Sequence, residues 1–181
     1  QTFKAVQDEG ARHVAEAARA AGAKALVHIS AIGASPDAPS VYARTKAAGE
    51  AAVKDLYPGA VIFRPSIVFG PEDDFFNRFA KLARIAPVLP LIGGGNTRFQ
   101  PVFAGDVAKA VIAGLTGKAN AGAPYELGGP EVLTLKEVME RVLAYTMRKR
   151  LLVPEPFWLA KLQAAFLQWL PKPPLTLDQV R

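Results

Sequence analysis

The sequence predicts an α/β fold: a parallel sheet, a smaller mixed α/β subdomain and an apolar C-terminal helix. Three observations predict it. Two short apolar runs, AKALVHIS and AVIFRPSIVFGP, flank a single helical pattern with short links, which is how a right-handed parallel βαβ unit reads. Glycine and proline clusters stand between the runs and mark the turns. Half of the 181 residues are apolar and 21% are charged, enough to bury a core and too apolar for disorder.

The elements follow in order. GARHVAEAARAAG carries small and apolar residues at helical spacing, so the chain opens in a helix, with Gly22 placed to cap its C-terminus. AKALVHIS is expected as a buried strand ending at Ser30, and AIGASPDAPS as a loop broken by Gly33, Pro36 and Pro39. Ser40 is placed to N-cap VYARTKAAGEAAVKDLY, which Pro58-Gly59 ends. AVIFRPSIVFGP is the second buried strand, running into a loop. Beyond Gly70 come a helix in FFNRFAKLARIA and a loop-rich stretch with short extended pieces, APVLPLIGGGNTRFQPVF, where Gly93-Gly94-Gly95 reads as a turn. Asp106 is expected to cap the helix VAKAVIAGLTG, and APYELGG reads as a strand. Thr134 and Glu137 form a capping box for LKEVMERVLAYTMRK. The last helix, PFWLAKLQAAFLQWL, lies between prolines. Its Trp158, Leu162, Ala165 and Trp169 share one stripe, which Leu159, Phe166 and Leu170 widen. The domain organisation expected is 1–70 for the second half of the Rossmann-like domain, 71–147 for a mixed segment and 148–181 for a tail.

Composition narrows function. With no cysteine and two isolated histidines, a disulfide framework and zinc spacing are excluded. His13 is expected on a surface and His28 as a satisfied core histidine. The opening residues lack the pattern of a signal peptide, and no apolar run reaches the ~20 residues a spanning helix needs. The net charge is +6, and residues 148–181, with six basic and two acidic side chains, hold +4 of it. That asymmetry points to an acidic partner or an anionic membrane surface for the tail, and away from nucleic acid. At fifteen residues, the last helix would lie on a bilayer.

The chemistry-bearing set is Ser30, Tyr42 and Lys46. Tyr42 and Lys46 fall one turn apart on a single helix face, just after the strand that ends in Ser30. A lysine so placed is expected to lower the tyrosine pKa from its ordinary ~10 toward the working pH. The phenol could then exchange a proton with a carbonyl or alcohol while a nicotinamide moves hydride. A second pair at this spacing, Tyr145 and Lys149, has no strand-end serine before it and reads as a surface pair.

The segments HIS, YARTK, FRPSIVFGP and FQPVFAGDVAKAV together resemble the extended short-chain dehydrogenase/reductases. Within them, YPGAVIFRPSIVFGPEDDFFNRFAKLARIAPVLPL, TRFQPVFAGDVAKAV and the proline-rich tail are similar to the NADPH-binding accessory-subunit family of respiratory complex I. The resemblance implies that Ser30, Tyr42 and Lys46 form a catalytic or vestigial site. It further implies that Pro65, Ser66, Ile67 and Val68 line the nicotinamide, and that NADPH is the cofactor. It implies complex I subunits as partners and a peripheral location, on the cytoplasmic side of a bacterial inner membrane or the mitochondrial matrix side. Two departures stand out. The G-x-x-G-x-x-G fingerprint is nowhere in this chain, so the resemblance implies that the sheet here is the C-terminal part of a Rossmann-like parallel sheet whose first half lies outside it. Gln7-Asp8 stands where many relatives carry Asn-Val. The functional alternatives are a structural subunit, an active NAD(P)-dependent reductase, epimerase or dehydratase, and a membrane-surface adaptor with a vestigial site.

Overall fold

The computed structural model describes residues 2–167. In chain order its elements are α1 (Gly10–Ala20), β1 (Val27–Ile29), α2 (Val41–Leu56), β2 (Val61–Pro65), β3 (Val68–Phe69), α3 (Phe75–Ile85) and β4 (Val88–Ile92). Then follow β5 (Arg98–Phe99), β6 (Val102–Phe103), α4 (Ala104–Leu115), β7 (Tyr125–Leu127), β8 (Leu133–Thr134), α5 (Leu135–Tyr145), β9 (Leu151–Glu155) and α6 (Phe157–Leu167). The chain divides into two compact units. One runs up to Ser66 and resumes over Val102–Gly128; the other holds Ile67–Pro101 and the described residues from Gly129 onward.

In the first unit, β1, β2 and β7 form a parallel sheet in the order β1-β2-β7, with Val27 opposite Val61 and Phe63 opposite Tyr125. α2 is therefore the crossover of the expected βαβ unit. Ser40 caps it as its position predicts, its hydroxyl accepting from the Ala43 N–H. Successive β2 side chains face opposite ways. Val61 and Phe63 meet α4, where Gly114 permits close approach: a Cβ there would sit 2.8 Å from Val27 Cγ2 and 3.2 Å from Phe63 Cε2. Arg64 turns to the other face, toward α2. On α2, Val53 packs with Ala15 of α1 and with Ala60. α1 ends as expected: Gly22 takes φ +62°, and the N–H groups of Gly22 and Ala23 donate to the Arg19 and Ala18 carbonyls.

The structure extends one expectation and corrects two. A π-helical stretch, Lys4–Glu9, precedes α1, and Gly49 of α2 lies so close to it that a Cβ would run into the Gln7 carbonyl. β1 is shorter and less buried than its apolar run predicts, because among the described residues it is an edge strand with one neighbour. Asp106 is not the cap of α4. Phe103 holds that position, and Asp106 lies in the first turn, paired with Lys109 at 2.8 Å. An acid suits the positive end of a helix anywhere in its first turn, so the residue type marks the terminus without fixing the boundary.

The second unit is built on a ladder whose first strand falls among the short extended pieces expected in the loop-rich stretch and whose second falls in the expected tail. β4 and β9 pair in parallel over five residues, Val88 opposite Leu151 through Ile92 opposite Glu155. Pro90 and Pro154 both stand in it. Among the described residues the ladder has two strands, so each keeps an open edge, where a missing N–H leaves no partner unpaired. Against the ladder pack α3 and α5, through a cluster that includes Ala83, Leu89, Leu91, Val138, Met139 and Leu143. The Thr134–Glu137 capping box is present. α5 ends at Tyr145, so Tyr145 and Lys149 do not share a helix face; Tyr145 is 88% exposed, as its surface reading expects. Gly93, Gly94 and Gly95 all have positive φ and form the expected turn. α6 docks by Ala160 and Ala164 against Ile92 and leaves Trp158 and Leu162 exposed, at 67% and 50%. Trp169 and Leu170, with the rest of 168–181, lie outside the described residues. Among the described residues no helix is long and apolar enough to cross a membrane.

Candidate functional site

The site forms where β1 and β2 end and α2 begins. Ser30 leaves β1 with its N–H donated to the Phe63 carbonyl at 2.7 Å, which fixes the backbone. Its side chain is buried, and Oγ has no hydrogen-bond partner. Tyr42, in the first turn of α2, is 37% exposed and packs edge-on to Phe3, ring centroids 5.8 Å apart. Lys46, one turn on, donates from Nζ to the Ile29 carbonyl at 3.1 Å and stands 5.9 Å from the centre of the Tyr42 ring. Pro65 closes β2 and accepts from the Ile32 N–H at 3.1 Å, while the Ser66 N–H donates to Leu127 at 2.9 Å. Arg64 and Pro65 are the last two residues of β2. The structure gathers Ser30, Tyr42, Lys46, Pro65 and Ser66 in the first unit; Ile67 and Val68, both half-buried, belong to the second.

The electrostatics correct one expectation. Burial pushes the Tyr42 phenol up from its ordinary value, not down. Desolvation outweighs a lysine that has turned its amine to a backbone carbonyl. Burial also lowers the Lys46 ammonium, against the opposing pull of Glu50. His28 is not a satisfied core histidine: its Nε2 is buried without a partner, and burial, with the charge of Lys46, holds the ring below its ordinary value.

Glu50, which the sequence reading passed over, is the buried charge of the site. It follows Lys46 by one turn and is 5% exposed. Arg64 donates to both its oxygens, Nε to Oε1 and Nη2 to Oε2, each at 2.8 Å. Burial raises the carboxyl, but Arg64 first, then Ser30 and Lys54, hold it below its ordinary value. The Ser30 hydroxyl lies near enough to assist without completing a hydrogen bond. The signal was available: Glu50 continues the Tyr42–Lys46 stripe among small residues, Gly49, Ala51 and Ala52, that mark a packed helix face.

These residues fit a nicotinamide ribose. An orphaned hydroxyl on Ser30, a lysine held at the strand end and a phenol beside it are donors and acceptors of the right kinds. Among the described residues no group of acids and histidines could hold a metal.

The model of the RmlD substrate binding domain family matches residues 33–156. The chain is 38% identical over 164 residues to "NADH dehydrogenase [ubiquinone] 1 alpha subcomplex subunit 9, mitochondrial" of Arabidopsis thaliana, covering 87% of this chain and 41% of that protein. It is 33% identical over 156 residues to the protein of the same name from Mus musculus, covering 83% and 41%. The chain thus spans about two fifths of the length of these curated relatives. A dTDP-4-dehydrorhamnose reductase from Bacillus anthracis, solved in complex with NADP, superposes with a TM-score of 0.69 at 22% identity, covering 83% of this chain and 57% of that one; the likeness shows a shared fold.

Proposed function

The chain belongs to the RmlD substrate binding domain family, and from that premise we propose that it is part of a short-chain-dehydrogenase-like accessory subunit of respiratory complex I that holds NADPH for a structural purpose rather than for turnover. The observation that carries this reading is the 38% identity over 87% of the chain to a mitochondrial NADH dehydrogenase [ubiquinone] subunit. The sugar-nucleotide reductase is similar at 22%, a level that speaks for fold and not for substrate.

In this reading Lys46 would hold the nicotinamide ribose hydroxyls, and the Ser30 hydroxyl would gain the partner it lacks. Pro65, Ser66, Ile67 and Val68 would line the ring. The bound cofactor supplies a hydride donor. Tyr42, its phenol held above the ordinary value by burial, would stand beside the ring and orient it through its hydroxyl. Nucleotide that binds only the folded chain stabilises it by linkage, about 2.7 kcal/mol at a hundredfold excess over Kd. The +4 segment 148–181, with Trp158 and Leu162 exposed on α6, would attach the protein to complex I subunits and to an anionic membrane surface. That surface would be the cytoplasmic side of a bacterial inner membrane or the mitochondrial matrix side. No role in nucleic-acid binding is proposed.

The second reading is an active reductase, epimerase or dehydratase with Tyr42 as acid, favoured by the grouping of Ser30, Tyr42 and Lys46 alone. Tyr42→Phe in the complete protein separates the two, since it removes only the hydroxyl. A structural subunit keeps its nucleotide content and complex I activity. An enzyme loses about 10²–10⁴-fold in turnover.

A further inference from the structure

The second unit contains a cavity of about 510 Å³ between α3 and the C-terminal half of α5. It has the size and the mainly apolar character of a small-molecule site. Its walls are carbon: Phe69, Phe76, Ala80, Pro101, Leu133 and Val142. Inside the rim, the polar side chains on the lining are already committed elsewhere. The Asp73 carboxylate accepts from the Phe76 N–H at 2.6 Å and the Asn77 N–H at 3.3 Å, capping α3. Asn77 Nδ2 donates to the Pro71 carbonyl at 3.0 Å, and Thr146 Oγ1 donates to the Val142 carbonyl at 2.7 Å. Arg141 Nη2 donates to Glu131 at 2.6 Å, and this pair, half exposed, sits at the rim with the exposed Tyr145.

That accounting selects the ligand. A sugar nucleotide entering here would shed its water and find few unengaged donors or acceptors to replace it. A hydrocarbon would lose nothing and would gain contact with aromatic and aliphatic walls. We propose that this cavity binds a single fatty-acyl chain, its polar head left at the mouth beside Arg141 and Tyr145. The site is independent of the cofactor reading, because every residue lining it belongs to the second unit. The acyl chain could come from a free fatty acid or from a membrane lipid, and the test separates these.

The full chain is titrated with cis-parinarate by fluorescence, then challenged with palmitate, lysophosphatidylcholine or UDP-glucose. One-to-one saturable binding is expected, displaced by a lipid and not by UDP-glucose. Displacement by palmitate alone identifies the free acid as the source; displacement by lysophosphatidylcholine identifies membrane lipid. Ala80→Phe fills the cavity and should weaken binding by about tenfold or more while the melting curve is unchanged, the loss being apolar contact area. The wild-type protein gives a readout that needs no variant: a diazirine-bearing palmitate is photocrosslinked and the label mapped by mass spectrometry. Label on 69–80 or 130–146 supports the proposal. Label confined to α6, absence of saturable binding, or displacement by UDP-glucose overturns it.

Discussion

Replacing Glu50 by Gln removes one charge and almost no volume from the most buried ion pair in the first unit. Arg64 donates two charge-assisted hydrogen bonds to Glu50, both at 2.8 Å. Glutamine can accept one of them and turns an amide N–H₂ toward the guanidinium for the other. A charged hydrogen bond contributes about 1.5–3 kcal/mol net, and breaking a buried pair from one side costs about 3–5 kcal/mol. Arg64 keeps 23% of its side chain exposed and so regains some hydration. The expected loss is therefore at the low end, about 3 kcal/mol, or roughly a hundredfold in the folding equilibrium. The control is Glu131→Gln. The Arg141–Glu131 pair is as short, at 2.6 Å, but its partners are 50% and 58% exposed. Such a surface pair contributes little, being screened by solvent. The assay is urea unfolding by far-UV circular dichroism, with hydrogen exchange read on peptides spanning β1 and β2. Fluorescence of Trp158 would report the second unit instead. Equal losses in the two variants, or a loss under about 1 kcal/mol for Glu50→Gln, would refute the argument that burial gives this pair its weight.

His28 and Glu50 are both held below their ordinary values of 6.5 and 4.5, so between each folded and unfolded value the folded chain binds fewer protons. Their stabilisation is complete above those ordinary values and is lost as pH falls through each window, first for His28, which faces Lys46 and Glu50. Urea midpoints that stay level from neutral pH down to the carboxylate range would contradict this. Gly49→Ala should cost about 1–3 kcal/mol by overpacking and speed amide exchange across Lys4–Glu9; unchanged exchange there would count against the close approach. Truncation after Arg150 deletes β9, so peptides from α3 and α5 should lose protection while β1 and β2 keep theirs; a fully protected second unit would show that the β4–β9 ladder is dispensable.

What the sequence made legible was local. The βαβ core follows from two apolar runs around one helical period, and Ser40, Gly22 and the Thr134–Glu137 box mark helix ends because capping involves residues three or four apart. The β4–β9 pairing was hidden because its strands stand some sixty residues apart and each holds a proline, a residue whose place in a ladder depends on an open edge that local patterning does not show. Of the candidate site, Ser30, Tyr42 and Lys46 stand out by context as much as by spacing, a strand that ends in Ser30 just before the helix that carries the pair. Glu50 was missed because its partner, Arg64, lies on a different element. The direction of the Tyr42 shift was misread for a related reason: counting the nearby lysine gives the Coulomb part, whereas burial, set by Phe3 and the packed helix start, decides the sign. α6 reads as apolar throughout, yet docks by its smallest residues, Ala160 and Ala164, a choice made by the close approach of Ile92.

The central claim is a structural, nucleotide-holding subunit, and its most direct test is to purify the native complete protein from mildly solubilised membranes. NADH:ubiquinone reductase activity is then followed across the preparation, and the nucleotide released on denaturation is identified. The account predicts co-purification with that activity and about one NADPH per copy, as expected for a ligand that stabilises the fold it occupies. It further predicts that Lys46→Ala loses the nucleotide and that Tyr42→Phe retains it. A protein that purifies apart from the respiratory enzyme, releases no nucleotide, or turns over a substrate of its own in a Tyr42-dependent reaction would contradict it.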